Sequence, residues 1–384
     1  MVRNIPTLLL LSCSIVAAQT SVVPPQSPPR SSIQILGHDP LHTSDPQAEQ
    51  ELEKGTGLTR NGQFAEAIPH LVAAQGRVAN QYAASVNLAI CYIATDQPKR
   101  AIPVLKDLRD RAHDNADVNN LLAQAYIGDS ENQKGFEALE RAASITPTNE
   151  KLYMFVADAC MGKQAYVLGM QVAELGLKNL PQSARLHFER AMFLSLLDRF
   201  DDAKADFALA RKLSPDSDIA YVAGAQEAML DGNVREAIRT AREGIKWGDE
   251  GFLLLTLLGD ALLRSGAVPG QPEFEEARAA LEKSVAARAN YPSSQLALGK
   301  LYLLDNRASE AITHLEIARQ LNPGNPAVYS NLAAAYRKQA DLSKAQEALE
   351  TLEKLNSAQA EKIRRAPGET KASYATSGSS PEHP

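Results

Sequence analysis

The chain predicts an all-α fold, a solenoid of stacked helix–turn–helix units, and three observations carry that prediction. First, a 34-residue period runs nine times from Ala48, broken by a single insertion. Second, two places in the period are always small. The eighth holds Gly55, Ala89, Ala123, Ala157, Ala191, Ala225, Gly259, Gly299 and Ala333; the twentieth holds Ala67, Ala101, Gly135, Gly169, Ala203, Ala237, Ala277, Ala311 and Ala345. A small residue held at one phase marks where two helix backbones approach too closely for anything larger. Third, 44% of residues are hydrophobic but only 5% aromatic, a composition suited to closely stacked helices.

Residues 1–18 read as a secretion signal. Arg3 supplies the positive start, Ile5 to Ala18 is short and apolar, and Val16-Ala17-Ala18 before Gln19 is a small-residue cleavage site. The stretch is too short for a membrane span, which needs about 20 apolar residues, and no later stretch qualifies. Leu10-Leu11-Ser12-Cys13 resembles the bacterial lipoprotein signal, so a lipid anchor at Cys13 is the alternative; Leu11 departs from that pattern, and the chain stays apolar past Cys13. Residues 19–47 hold six of the 21 prolines and read as a stiff Pro-rich linker.

The repeats then run 48–81, 82–115, 116–149, 150–183, 184–217, 218–251, 252–291, 292–325 and 326–359. Turn-forming pairs such as Asn61-Gly62, Asp231-Gly232 and Asp305-Asn306 separate the two helices of a unit. Pro147, Pro181, Pro215 and Pro323 stand at the thirty-second place, where proline ends the second helix.

Repeat nine carries Tyr329, Leu332, Ala333, Tyr336 and Ala345; repeat five carries Ala191, Phe200, Ala203, Phe207, Ala210 and Pro215. In these residues the chain resembles the tetratricopeptide repeat family over about four-fifths of its length. The resemblance implies a right-handed superhelix of about one turn, with first helices lining a concave groove. The polar first repeat, with Glu51 and Lys54, suits a solvent-facing cap. Six residues, 267–272, are extra in the seventh repeat and fall in the turn between its helices. Residues 358–366 read as a short C-terminal capping helix stopped by Pro367. Residues 367–384, without periodicity, read as a disordered tail.

Net charge is −6, which argues against a nucleic-acid partner. Cys91 and Cys160 lie two repeats apart, too far for a bridge, and read as buried free thiols. No catalytic constellation, metal-ligand spacing or cofactor motif stands out. Gly128-Asp129-Ser130-Glu131-Asn132 lacks the last glycine of a nucleophile elbow, and His70 and His314, which share a phase, lie seven repeats apart.

The resemblance assigns the groove to the second, fifth, ninth, twelfth and thirteenth places of first helices. In repeats four to six these include Met154, Asp158, Met161, Arg185, Phe188, Met192, Leu196, Val222, Gln226, Met229 and Leu230. Methionine is adaptable and over-used on binding surfaces, although packing between neighbouring helices accounts for several of these residues as well. The expected function is a non-catalytic, exported scaffold, periplasmic or secreted, that binds an extended or helical segment of a protein partner during assembly of an envelope complex. The alternative is a lipid-anchored accessory subunit of an outer-membrane, pilus or polysaccharide assembly machine; an enzyme is a remote third.

Overall fold

The computed structural model describes residues 45–365 except 112–113, 216 and 249, and leaves out the side chains of 359 and 362–365. The leader, Cys13, nearly all of the proline-rich linker and the C-terminal tail lie outside the described residues. All regular structure among the described residues is helical, and the chain divides after Ser214 into two units.

The N-terminal unit holds α1 (Pro46–Arg60), α2 (Phe64–Ala74), α3 (Gln81–Ala94), α4 (Pro98–Asp110), α5 (Ala116–Gly128), α6 (Asn132–Ile145), α7 (Glu150–Gly162), α8 (Tyr166–Asn179), α9 (Ala184–Leu196) and α10 (Phe200–Leu213). The C-terminal unit holds α11 (Asp218–Leu230), α12 (Val234–Trp247), α13 (Phe252–Arg264), α14 (Pro272–Ala287), α15 (Pro292–Leu304), α16 (Ala308–Leu321), α17 (Pro326–Lys338) and α18 (Leu342–Arg365). Odd-numbered helices are the first helices of the pairs. Their starts are set locally: the side chains of Asp45, Asn80, Asn115, Ser183, Ser217 and Asn325 accept from backbone N–H groups in the first turn.

All eighteen small residues are buried. The reason is visible at the glycines. A Cβ on Gly55, Gly259 or Gly299 would stand 2.7, 2.4 or 2.6 Å from the Cγ of Leu71, Leu281 or Leu315, at the twenty-fourth place of the same pair. The eighth and twenty-fourth places therefore fill one space between them.

Every first helix ends in the same way. The fifteenth residue of the pair is left-handed in all nine: Gly62, Asp96, Ser130, Gln164, Asp198, Gly232, Gly266, Asn306 and Ala340, with φ between 53° and 95°. The next residue donates its N–H to the carbonyl five residues back, from Gln63 to Leu58 through to Asp341 to Tyr336, at 2.7–3.2 Å. This is a Schellman closure, which satisfies helix-end carbonyls before the chain turns into the second helix. Only three of the nine are glycine.

Two expectations change. In the seventh pair Ala267 itself donates to Leu262, the bond every other pair makes from its sixteenth residue. By hydrogen-bond register the six extra residues are therefore 268–273, one later than the sequence spacing suggests. Two of them, Pro272 and Glu273, lengthen α14 by a helical start. Among the described residues no separate capping helix forms: α18 runs unbroken for 24 residues, and residues 358–365 continue it. Asn356-Ser357 contains neither glycine nor proline, and the following Ala, Gln, Glu and Lys residues favour propagation.

Neighbouring pairs are joined by a repeated polar bond. Tyr153 and Tyr329, at the fourth place, donate their hydroxyls to the carbonyls of Pro147 and Pro323, and the Gln295 amide donates to Ala289. His187 Nε2 meets Pro181 O at 3.2 Å in the same position. A second repeated contact crosses within pairs, from the fourth to the twenty-third place: Glu51 with His70, His187 with Asp206, and Gln295 with His314.

Candidate protein-binding surface

In the N-terminal unit α3, α5 and α7 pack side by side, and their outer faces form a wall. On a helix the sixth and ninth places share a face with the second and thirteenth. On α3 this face carries Asn87 and Ile90, both half-buried, with Val86 half-buried at its edge; on α5, Leu121 and Gln124, also half-buried. On α7 it carries Phe155, which is 43% exposed. Asp158 is half-buried one turn further along the same helix.

The polar groups behind this apolar strip are fixed. Gln124 Nε2 donates to Asn120 Oδ1 at 2.8 Å, and Asn120 Nδ2 donates to Leu152 O on α7 at 2.7 Å. Asn87 Nδ2 donates to Ala83 O in its own helix. At one rim Lys163 Nζ reaches Asp96 Oδ1 at 2.8 Å, bracing the turn after α7 against the turn after α3. The result is a rigid, mostly apolar surface with an exposed ring. It presents no arrangement of nucleophile and base, and no group of three or more His, Cys, Asp or Glu residues among the described residues could hold a metal.

The residues expected at the groove divide between the two units. In the N-terminal unit Met154 and Met161 are buried, and Asp158, Arg185 and Leu196 are half-buried. Phe188 is buried with its ring 5.6 Å from that of Phe207 on α10, tilted at 58°. It is thus a packing residue of the α9–α10 pair, not the open groove residue that the resemblance implied. Met192 on the same helix has no exposed surface. In the C-terminal unit Val222, Gln226 and Met229 are buried and Leu230 is half-buried. Phe155 was missed because the five groove phases taken from the resemblance omit the sixth place. An aromatic flanked by Met154 and Val156 at that place was the available signal.

Two buried polar features near the wall are structural. Asp206 of α10 is held bidentately by Arg190, at 2.6 and 2.8 Å, and by His187 Nδ1 at 2.9 Å. Glu189 on α9 is fully buried, and neither of its carboxylate oxygens has a hydrogen-bond partner. Burial drives its carboxyl well above the ordinary carboxylate range. Cys91 and Cys160 are free and buried. Loss of solvation pushes the Cys160 thiol up to about 12 and raises Cys91 as well, against a contact with Thr59 Oγ1.

One tetratricopeptide repeat family model matches residues 58–125 and 303–361, and a second matches 270–326. These segments match the tetratricopeptide repeat. The first matched segment contains α3 and most of α5, and so most of the wall. Solved structures similar to this chain include the Cut9–Hcn1 hetero-tetramer of APC/C, at 15% identity over 81% of this chain and 67% of that one, with a TM-score of 0.49. A tetratricopeptide repeat protein from Parabacteroides merdae ATCC 43184 is 16% identical over 76% and 99%, with a TM-score of 0.43. YrrB, described as a tetratricopeptide repeat protein with an unusual peptide-binding site, is 18% identical over 48% and 93%, with a TM-score of 0.33. No curated protein sequence matches the chain. No helix among the described residues is long and apolar enough to cross a membrane.

Proposed function

We propose that this chain is a non-catalytic scaffold whose tetratricopeptide repeats hold an extended or helical segment of a partner protein against the wall of α3, α5 and α7. The observation that carries this is Phe155, a half-exposed aromatic ring on a surface whose neighbouring polar groups are already hydrogen-bonded. An aromatic anchor on a pre-organised apolar surface is the usual centre of binding energy in an interface. The segment it takes is apolar on one face, since Val86, Ile90 and Leu121 offer area but no free donors in a row.

The reading of residues 1–18 as a leader supports a scaffold that acts outside the cytoplasm, in assembly of an envelope complex. Lipidation at Cys13 would instead make it an anchored accessory of an outer-membrane, pilus or polysaccharide machine. The mass of the mature N-terminus separates the two, beginning at Gln19 or at a lipidated Cys13.

The surface is tested by Phe155→Asp. Capture of cross-linked partner from an envelope fraction should fall by about thirtyfold, the scale of an interface hot spot of about 2 kcal/mol. The melting temperature should stay within a degree or two of wild type, because the ring is not core. Undiminished capture by a folded variant would move the binding surface elsewhere.

A further inference from the structure

The end of the C-terminal unit carries an apolar face that the rest of the chain shows how to read. The twenty-fourth place of the first eight pairs holds Leu71, Leu105, Leu139, Ala173, Phe207, Ala241, Leu281 and Leu315, each with 0% of its surface exposed. In the ninth pair it holds Leu349, which is only half-buried. Leu352, one turn along, is half-buried too, and with Asn356 and Ala360 the two leucines line a shallow depression along α18. The same position that every other pair buries completely is open here, because α18 is the last described helix.

α18 is also too long for its own pair. At 24 residues it spans about 36 Å, against about 20 Å for the 13-residue α17. Its last two or three turns thus extend beyond the helix that supports it, and an unsupported helical end of that length is marginal in water. Its charge is polarised along the axis. Residues 342–353 carry Lys344 against Glu347, Glu350 and Glu353, while residues 354–365 carry Lys354, Lys362, Arg364 and Arg365 against Glu361. The first half is acidic and the second basic.

We propose that this face is an interface between two copies of the chain, with α18 of one copy lying antiparallel to α18 of the other. An antiparallel pair sets the acidic half of each helix against the basic half of its partner, gives each protruding end a surface to lie on, and covers Leu349 and Leu352. Such a contact is isologous and closes as a dimer, so it does not propagate into a fibre. A parallel pair would oppose like charges along its whole length.

Sedimentation equilibrium of the full chain over about 1–100 μM should show a reversible dimer. Leu349→Glu with Leu352→Glu should raise the dissociation constant at least thirtyfold. Because those leucines are half-buried on a helix that packs against α17, a second variant guards against misfolding. Glu347→Lys, Glu350→Lys and Glu353→Lys together change only exposed groups and should weaken the dimer about tenfold. A parallel pair would be weakened as well, because its first halves would go from −2 facing −2 to +4 facing +4; adding Lys354→Glu, Lys362→Glu, Arg364→Glu and Arg365→Glu to the same chain restores affinity only in the antiparallel pair. A wild-type monomer across the whole range overturns the proposal, as does a dimer that survives the leucine pair. An unaltered affinity in the charge-reversed variant, or no recovery once both halves are reversed, overturns the antiparallel arrangement. A monomeric chain whose α18 face instead binds another protein would show in the first of these outcomes.

Discussion

At the scale of single residues the chain mixes strict economy with one costly exception. The strict part is the small-residue rule: the Cβ positions at Gly55, Gly259 and Gly299 are already occupied by leucines. The exception is Glu189, enclosed without a partner for either oxygen. A buried polar group left unsatisfied costs about 1–3 kcal/mol, so Glu189→Met, similar in length and fully apolar, should stabilise the protein by about that amount near pH 4.5, where the buried carboxyl is protonated. The pH dependence has a definite sign. Unfolded, the carboxyl ionises near its ordinary 4.5; folded, burial holds the proton to much higher pH. A raised folded value means the native state binds more protons than the unfolded state above 4.5, so this group favours folding most in acid and loses that contribution as pH rises. The stability gap between Glu189→Met and wild type should therefore widen from pH 4.5 to 8 in denaturant titrations. A gap that stays flat or narrows would mean that Glu189 finds a charged or hydrogen-bonding partner.

Elements are terminated by backbone geometry more than by residue type. All nine first helices end in a left-handed residue, and in six it is not glycine. Asp, Asn and Ser tolerate that conformation through local hydrogen bonds, but Ala340, at φ 59°, has no such help. Ala340→Gly should raise stability by about 1 kcal/mol, the left-handed penalty less the entropy gained by the unfolded chain. A lower melting temperature would show that the turn before α18 is not limited by strain. The turn was legible in the sequence where glycine or Asn-Gly marked it, as at Gly62 and Gly232, and not at Gln164 or Ala340. The end of α18 was misread for a related reason. Asn356-Ser357 looks like a loop in composition, but helix propagation needs only that nothing stops it, and nothing does before Arg365.

On the scale of the whole molecule, the repeat and its stacking phase were readable from the sequence because close backbone approach leaves a residue-type signature at fixed spacing. The wall proposed as the binding surface was not readable, because exposure at the sixth place of a first helix depends on how neighbouring helices pack. Phe155 stands open there, whereas Ala223, Leu257 and Ala297 at the same phase are buried. Architecture of this kind distributes stability by neighbour, as each pair contacts chiefly the pairs beside it. Leu281 on α14 has no exposed surface and fills the space opposite Gly259 on α13. Leu281→Ala should cost about 2–5 kcal/mol, a lost side chain plus a cavity. That loss should appear as faster amide exchange in α13–α16, with α3–α6 in the N-terminal unit keeping their wild-type protection. Uniform acceleration across all helices would mean that the two units unfold as one cooperative block, and the nearest-neighbour account of this solenoid would fail.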